Sequence, residues 1–195
     1  MSPDNHSGRH DRASITTTAL RLLDDVGLPD LSMRRLATEL GVQPSALYWH
    51  FANKQALLAA IADRILERVN TSRTRDGDVV AVAHSIRDAL LAYRDGAEVV
   101  MSSYALGLGA DRAHAALTTA LTSTATATAT ATAQVSDRTA VLLQFILGHA
   151  LLVQQRLHAE SYGAAAPSAD ADPSAAIEST FDLGVRAFLM GLPTE

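Results

Sequence analysis

Apolar residues recur along most of the chain at the spacing of an α-helix. In the first segment they form a single stripe made of Ile15, Ala19, Leu22, Leu23 and Val26. This spacing places the side chains on one face of a helix with about 3.6 residues per turn. Because Gly27 and Pro29 are typical of a helix end, we predict a first helix from about Asp11 to Val26.

Three further helices are predicted before residue 70. Ser32 is a suitable N-terminal cap for the second, which ends at Gly41. Pro44 fits the first turn of a third helix, where a missing N–H group costs nothing. Asn53 caps the fourth, whose apolar stripe consists of Leu57, Leu58, Ile61, Ile65 and Val69.

The helical pattern continues beyond a polar segment at residues 71–78, which we interpret as a linker. We predict helices at 79–93, 97–103, 111–121, 137–159 and 174–190, the fourth of them capped by Ser136. The alternating Ala/Thr segment 123–133 has the period of a strand, but alanine is unfavourable in strands. We interpret that segment as a frayed helix end or a loose loop, and the fold class as all-α.

The composition narrows the class of protein. The chain has 195 residues, 48% of them hydrophobic, and its sequence contains no cysteine, which excludes disulfide scaffolds and cysteine catalysis. The first ten residues are polar, and the most apolar run, 139–153, is interrupted by Gln144 and His149. Since that run is shorter than the roughly 20 residues of a membrane helix, we expect a cytoplasmic protein without a membrane partner.

The charge is distributed unevenly. Residues 1–70 hold eight Lys or Arg and eight Asp or Glu, whereas residues 71–195 hold eight and thirteen, which accounts for the net charge of −5. The second part of the chain should therefore repel nucleic acid. Any contact with DNA has to use a local basic patch in the first part.

The second and third helices, joined by the turn Gly41–Pro44, predict a helix-turn-helix whose second helix enters the major groove of DNA. Leu47 and Phe51 are four residues apart and face inward. The residues left on or near the outer face of the third helix are Gln43, Ser45, Ala46, Tyr48, Trp49 and His50. Their polar groups can bond phosphate, and their rings can lie against sugars or a thymine methyl group.

Two basic residues flank this face. Arg34, at the start of the second helix, can reach a guanine edge or a phosphate, and Lys54, at the start of the fourth, is placed for the DNA backbone. The alternative is that Tyr48 and Trp49 pack into an ordinary core.

Sequence signatures of enzymes are lacking, among them G-x-S-x-G, G-x-x-x-x-G-K-[ST], H-E-x-x-H and G-x-G-x-x-G. His149 stands among apolar residues, and we interpret it either as a satisfied core histidine or as a group that contacts a ligand. His149 and His158 are nine residues apart on one predicted helix and cannot hold one metal together. We expect no enzymatic activity, no metal and no cofactor.

Segment 12–54 resembles the DNA-binding domain of the TetR family of bacterial repressors. The matching pieces are Leu-Leu-Asp-Asp-Val-Gly at 22–27, Leu36-Ala37-x-x-Leu40-Gly41-Val42 and Leu47-Tyr48-x-His50-Phe51-x-Asn53-Lys54. The segment Leu90-Leu91-x-Tyr93-Arg94-Asp95-Gly96-Ala97, together with Trp49, resembles the tetracycline-repressor subgroup.

The resemblance implies an all-α fold with an N-terminal three-helix helix-turn-helix domain and a larger helical domain for ligand binding and dimerisation. It implies a flexible tail at 1–10, a DNA-binding domain with its connecting fourth helix at 11–70, and the second domain at 71–195. The last two predicted helices would form the dimer interface. The positions that meet DNA in the family correspond here to Arg34, Gln43, Pro44, Ser45, Ala46, Tyr48, His50 and Lys54, to which the outward Trp49 is added.

The ligand site departs from that of the tetracycline repressors. Where they use a histidine to hold a drug–Mg²⁺ chelate, this chain has Val100, which offers no donor to a hard cation, and where they bind the drug with an asparagine it has Val82. We therefore expect no Mg²⁺ chelate and a more apolar pocket. Its expected lining is drawn from Asn70, Val82, Ile86, Val100, Ser103, Tyr104, Phe145 and His149.

The sequence thus predicts a homodimeric regulator that binds a palindromic operator in double-stranded DNA and is released by a small-molecule effector. The alternative is a helical protein that binds a small molecule or a partner without specific DNA binding. Neither the effector nor the operator sequence can be predicted from these residues, and activation in place of repression stays open.

Overall fold

The computed structural model describes residues 10–69, 78–123, 129–163 and 173–191. Within these ranges every regular element is an α-helix, as the sequence predicts. The helices are α1 (Arg12–Val26), α2 (Met33–Glu39), α3 (Pro44–Tyr48), α4 (Lys54–Leu66), α5 (Val79–Leu91), α6 (Gly96–Ala105), α7 (Asp111–Thr122), α8 (Ala129–Ser161) and α9 (Pro173–Met190).

Side-chain caps fix where the helices of the N-terminal part begin. The side chain of Asp11 accepts a hydrogen bond from the backbone N–H of Ser14, which lowers the pKa of the Asp11 carboxyl. Ser32 caps α2 and Asn53 caps α4 in the same way, and Pro44 is the first residue of α3. Each of these caps satisfies an N–H group that the helix itself cannot bond. The capping roles predicted for Ser32 and Asn53 are confirmed.

The larger part of the protein is built around α5, which packs against α4, α6, α7, α8 and α9. Asp78 caps α5 by accepting a hydrogen bond from Ala81 N at 2.9 Å. The other residues of the predicted linker, 71–77, lie outside the described residues. The described hydrophobic core of this part is mostly aliphatic and includes one fully buried aromatic side chain, Phe181 of α9.

The prediction that Ser136 begins the long helix is wrong, because α8 already starts at Ala129 and Ser136 is an exposed residue within it. Alanine has the highest helix propensity, so the alanines of 129–133 continue the helix toward the N-terminus. The remainder of the Ala/Thr segment, 124–128, lies outside the described residues.

By length and composition alone, the segment Gln134–Ser161 of α8 would be apolar enough to cross a membrane. In this fold the same helix packs against α5, α6, α7 and α9, and its buried residues belong to the hydrophobic core. A core helix of this kind satisfies the same criterion, so the segment is weak evidence for a membrane span.

Two turns join the N-terminal helices to the rest of the protein. The backbone N–H of Leu28, after α1, donates to the Asp95 carboxylate at 2.7 Å, and Arg94 N donates to the Asp24 carboxylate at 2.8 Å. Gly27 adopts a φ of +82°, and a Cβ atom there would lie only 3.0 Å from Asp95 Oδ2. Glycine at this position therefore allows the turns 27–28 and 94–95 to approach each other.

Gln154 ties the second of these turns to α8. Its side-chain oxygen accepts a hydrogen bond from Ala97 N at 3.0 Å, and its amide nitrogen donates to the carbonyl groups of Leu90 and Tyr93 at 3.2 and 2.8 Å. The side chain is buried, so water cannot replace these bonds. The position of the α5–α6 turn therefore depends on α8.

Replacing Gln154 with leucine should lower the free energy of unfolding by about 2–3 kcal/mol, because buried backbone groups lose their partners. Gln155→Leu, at the adjacent exposed position, should change it by less than about 0.5 kcal/mol. Urea unfolding at equal protein concentration measures both. Equal effects of the two substitutions would contradict this role of Gln154.

Candidate functional site

The helices α2 and α3 meet through a tight turn. Val42 N donates to Ala37 O at 3.0 Å, and Gly41 N donates to Thr38 O at 3.1 Å. Gly41 has a φ of +66° and ends α2 in the left-handed conformation that glycine adopts without strain. The two short helices and this turn have the arrangement of a helix-turn-helix, as predicted.

Two buried side chains fix the rotation of α3 about its axis. Leu47 and Phe51 are each only 1% exposed and belong to the core formed with α1, α2 and α4. On the other side, Tyr48 is 52% and Trp49 89% exposed. The alternative that Tyr48 and Trp49 pack into the core is therefore excluded.

The remaining predicted DNA-contacting residues lie around these rings. Gln43 and Ser45 are exposed, whereas Pro44, Ala46 and His50 are half-buried. Arg34 is exposed in the first turn of α2, and Lys54 is the half-buried first residue of α4. Their contact with DNA stays a prediction.

Arg12 is a residue at this site that the sequence patterns did not indicate. Its guanidinium donates a hydrogen bond of 2.5 Å to the backbone oxygen of His50 and lies 4.3 Å from the centroid of the Phe51 ring. This contact holds the C-terminal end of α3 against the beginning of α1. The two partners are 38 residues apart, so no local pattern could have predicted the contact.

The predicted effector residues fall into separate environments. Four are buried side chains of α5 and α6: Val82, Ile86, Val100 and Ser103. Tyr104 is half-buried, and Asn70 lies outside the described residues. Phe145 and His149 are half-buried on α8, with ring centroids 6.1 Å apart. Whether these residues line one effector pocket stays a prediction.

An aromatic cluster surrounds Phe181 where α5, α8 and α9 meet. Its ring centroid lies 5.8 Å from that of Phe145, 5.0 Å from that of His149 and 5.1 Å from that of His84. The Arg87 guanidinium carbon is 5.0 Å from the same centroid. Sequence reasoning missed His84, Arg87 and Phe181, because only the packing of the three helices brings them together.

A cavity of about 400 Å³ opens beside α5, next to this cluster. It is lined by Arg68, Ala81, His84, Ser85, Asp88 and Ala89. His84 also pairs with Asp182 through Nε2 and Oδ1 at 2.6 Å, which links α5 to α9. Among the described residues, no group of three or more His, Asp or Glu side chains could hold a metal ion.

The described residues thus form an all-helical protein with a helix-turn-helix. Comparison with known proteins identifies its family. Residues 15–61 match the model for bacterial regulatory proteins of the tetR family, and residues 72–183 match the model for the tetracyclin repressor-like C-terminal domain. The chain therefore belongs to the TetR family of bacterial regulatory proteins.

The N-terminal half is 52% identical over 94 residues to the class C tetracycline repressor of Escherichia coli, an alignment that spans 45% of this chain and 43% of that protein. The crystal structure of Mycobacterium smegmatis BioQ matches with 33% identity and a TM-score of 0.80, covering 93% of this chain and 97% of that one. A structure of BioQ with its natural double-stranded DNA operator matches with 31% identity and a TM-score of 0.76, covering 95% of this chain and 99% of that one.

The difference in burial between Leu47 and Trp49 predicts a large loss of stability for one substitution and almost none for the other. Leu47→Ala should lower the free energy of unfolding by about 2–5 kcal/mol, because it leaves a cavity in the core. Trp49→Ala should change it by less than about 0.5 kcal/mol, since the ring is exposed. Urea unfolding followed by circular dichroism measures both, and a large loss for Trp49→Ala would mean that the ring is packed.

Proposed function

We propose that the protein is a homodimeric, effector-responsive transcriptional repressor that binds a palindromic operator. The observation that carries the proposal is the outward display of Tyr48 and Trp49 on a helix whose opposite side is buried by Leu47 and Phe51. Adjacent exposed aromatic rings are typical of a surface that binds another molecule. Family membership supports duplex DNA as that partner.

In this proposal α3 enters the major groove and its outer residues contact DNA. Gln43, Ser45 and Ala46 face base edges, and Tyr48, Trp49 and His50 contact phosphates, sugars or thymine methyl groups. Arg34 contacts a guanine edge or a phosphate, and Lys54 contacts the backbone. Pro44 begins the helix at the groove and leaves no unbonded N–H group there.

Arg12 acts in this proposal as a positioning residue. A cation at the C-terminal end of a helix is favourable because the backbone carbonyl groups there carry partial negative charge. Its hydrogen bond to His50 O and its contact with Phe51 fix the end of α3. Arg12 therefore orients the His50 side chain for DNA without touching DNA itself.

The proposed dimer forms through α8 and α9. Both helices expose large apolar side chains at helical spacing, namely Val141 and Leu152 on α8 and Leu183 and Met190 on α9. Next to Leu183, the Phe145 ring of α8 packs directly on the backbone of Gly184 in α9, where a Cβ atom would lie 2.2 Å from the ring. A second copy of the chain would cover this apolar face and set the two α3 helices on successive turns of DNA.

The proposed domain boundaries follow from the same assignment. Residues 11–70 form the DNA-binding domain with α4 as its connection, residues 71–195 bind effector and partner, and residues 1–10 are a tail. The proposed site of action is the cytoplasm, and we assign the protein no enzymatic activity. An effector can weaken operator binding by favouring dimers whose α3 helices no longer match the operator. A 100-fold weakening requires the effector to bind those dimers more tightly than the DNA-binding dimers by about 2.7 kcal/mol.

Titration with a DNA fragment from upstream of the protein's own coding region tests the function. Trp49 is the sole tryptophan of the sequence, so its fluorescence reports on α3 alone. We expect saturable binding at low salt, and Tyr48→Ala should weaken it by about tenfold, or about 1.4 kcal/mol, while leaving the melting temperature unchanged. Absence of any fluorescence change or gel shift would contradict the DNA-binding function and favour the ligand-binding alternative.

The salt dependence separates a phosphate contact from a positioning role in the same assay. Lys54→Gln should reduce the slope of log K against log salt by about 1 for each subunit, because one phosphate contact is lost. Arg12→Gln should weaken binding with the slope unchanged. A reduced slope for Arg12→Gln would make Arg12 a phosphate contact instead.

The dimer is tested by placing a charge on its proposed face. Leu152→Glu and Leu183→Glu should each raise the dimer dissociation constant by at least about tenfold, because the interface would bury an unpaired carboxylate. Analytical ultracentrifugation measures the constant. Leu106→Glu, at an exposed leucine after α6, is the matched control and should leave it unchanged. A wild-type protein that stays monomeric at micromolar concentration would refute this interface.

A further inference from the structure

Arg87 is a buried cation that the proposed function does not use. It lies on α5 with only 8% of its surface exposed, and its Nε and Nη1 atoms are buried without a hydrogen-bond partner in the described part of the chain. A guanidinium stays protonated at any physiological pH, so the charge cannot be removed by losing a proton. A buried cation without a counter-ion is unfavourable, and such groups are retained where an anion pairs with them.

The neighbours of Arg87 supply no carboxylate among the residues that the structure describes. Asp182, on the facing helix α9, is engaged with His84 at 2.6 Å, and Asp88 on α5 is exposed and lines the cavity. The guanidinium instead lies beside the face of Phe181, with its central carbon 5.0 Å from the ring centroid. A ring face stabilises a cation only in part, and it leaves the N–H groups unbonded.

From these contacts we propose that Arg87 is the anion-recognition group of the effector site and that the effector carries a carboxylate on an apolar or aromatic body. This inference rests on the proposed function and names the chemical class of its effector. A guanidinium binds a carboxylate with two of its nitrogens, either along the side that includes Nε or along the end formed by the two Nη atoms. Each of these edges contains one of the two unpaired nitrogens, Nε or Nη1. The rings of Phe145, His149 and Phe181 provide the apolar surface for the rest of the molecule.

The cavity beside α5 gives the anion a route to this group. His84 lines the cavity of about 400 Å³, and its ring contacts the Phe181 ring that covers Arg87. Because protein atoms enclose both unpaired nitrogens, an anion reaches them only when a covering side chain such as Phe181 moves aside. Binding therefore alters the contact between α5 and α9, and α9 belongs to the proposed dimer interface.

The first test compares ligand-free proteins at equal concentration. Arg87→Met keeps most of the side-chain volume and removes the charge, and we expect it to melt at or above the wild-type temperature. Arg112→Met, which removes an exposed arginine from α7, is the control for lost charge and should melt as the wild type does. A fall of more than about 5 °C for Arg87→Met alone would overturn the proposal, because a carboxylate of the protein or of the partner subunit would then already pair with Arg87.

The second test uses two acids and their neutral amides, benzoate with benzamide and octanoate with octanamide, with sodium chloride added to the amides to match ionic strength. For at least one pair, the acid should raise the melting temperature of the wild type and of Arg112→Met by about 2 °C more than its amide does. In Arg87→Met the two members of each pair should act equally. Equal shifts by acid and amide on the wild type would overturn the carboxylate assignment.

Operator binding in the same samples separates this inference from the proposed function. Arg87→Met without added acid should bind the upstream DNA fragment as tightly as the wild type, and the effective acid should weaken only the wild-type complex by at least tenfold. Wild-type DNA binding with no preference for acid over amide overturns the inference and leaves the repressor intact. A preference for acid without any DNA binding overturns the repressor and leaves Arg87 as an anion site.

Discussion

The burial of Leu47 and Phe51 is the constraint on which the DNA-binding surface depends. The helix α3 has only five residues, too few for its own hydrogen bonds to hold it in one orientation. Its orientation comes instead from two side chains set four residues apart in the core, assisted by the Arg12 contact at its C-terminal end. With this side fixed, the spacing of a helix leaves Tyr48 and Trp49 no position but the outside.

The helices α1–α4 are attached to the rest of the protein by the packing of α4 against α5, α6 and α7 and by polar contacts that are specific in geometry. Asp95 has a left-handed backbone conformation with a φ of +55°, which is unfavourable for a residue with a side chain. In this conformation Oδ2 of the Asp95 carboxylate accepts a hydrogen bond from Leu28 N, and Oδ1 lies 3.5 Å from His158 Nε2 on α8. Gln154 of α8 binds the same turn. A displacement of α8 or α9 on effector binding would therefore move the helices α1–α4 as well, because these hydrogen bonds tolerate little change in geometry.

The sequence was sufficient to predict those structural features that depend on residues close together in the chain. The roles of Ser32, Pro44 and Asn53 follow from residues within one helical turn, and the inward position of Leu47 and Phe51 follows from helical spacing. Those features define the helix-turn-helix, and they allowed the family resemblance that the comparisons confirm. The start of α8 was predicted incorrectly because Ser136 is a good cap in isolation, whereas the alanines before it favour further helix.

The rest depends on residues that are far apart in the chain. The Arg12–His50 contact and the cluster of Arg87 with Phe181 each join separate helices, and no periodicity indicates such pairs. For the effector site, composition and resemblance predicted apolar walls at Val82 and Val100 in place of chelating groups, and both are buried. They gave no sign of a buried cation, because an arginine in an amphipathic helix is ordinarily an exposed residue.

The most direct test of the account is the accessibility of Trp49 to a neutral quencher, acrylamide, in the free protein and in its complex with operator DNA. If α3 displays its outer face to DNA, acrylamide should quench Trp49 of the free protein nearly as strongly as a free tryptophan derivative, and bound DNA should protect it strongly. Weak quenching in the free protein would mean that α3 does not display its outer face. Unchanged quenching in the complex would mean that this face does not contact DNA.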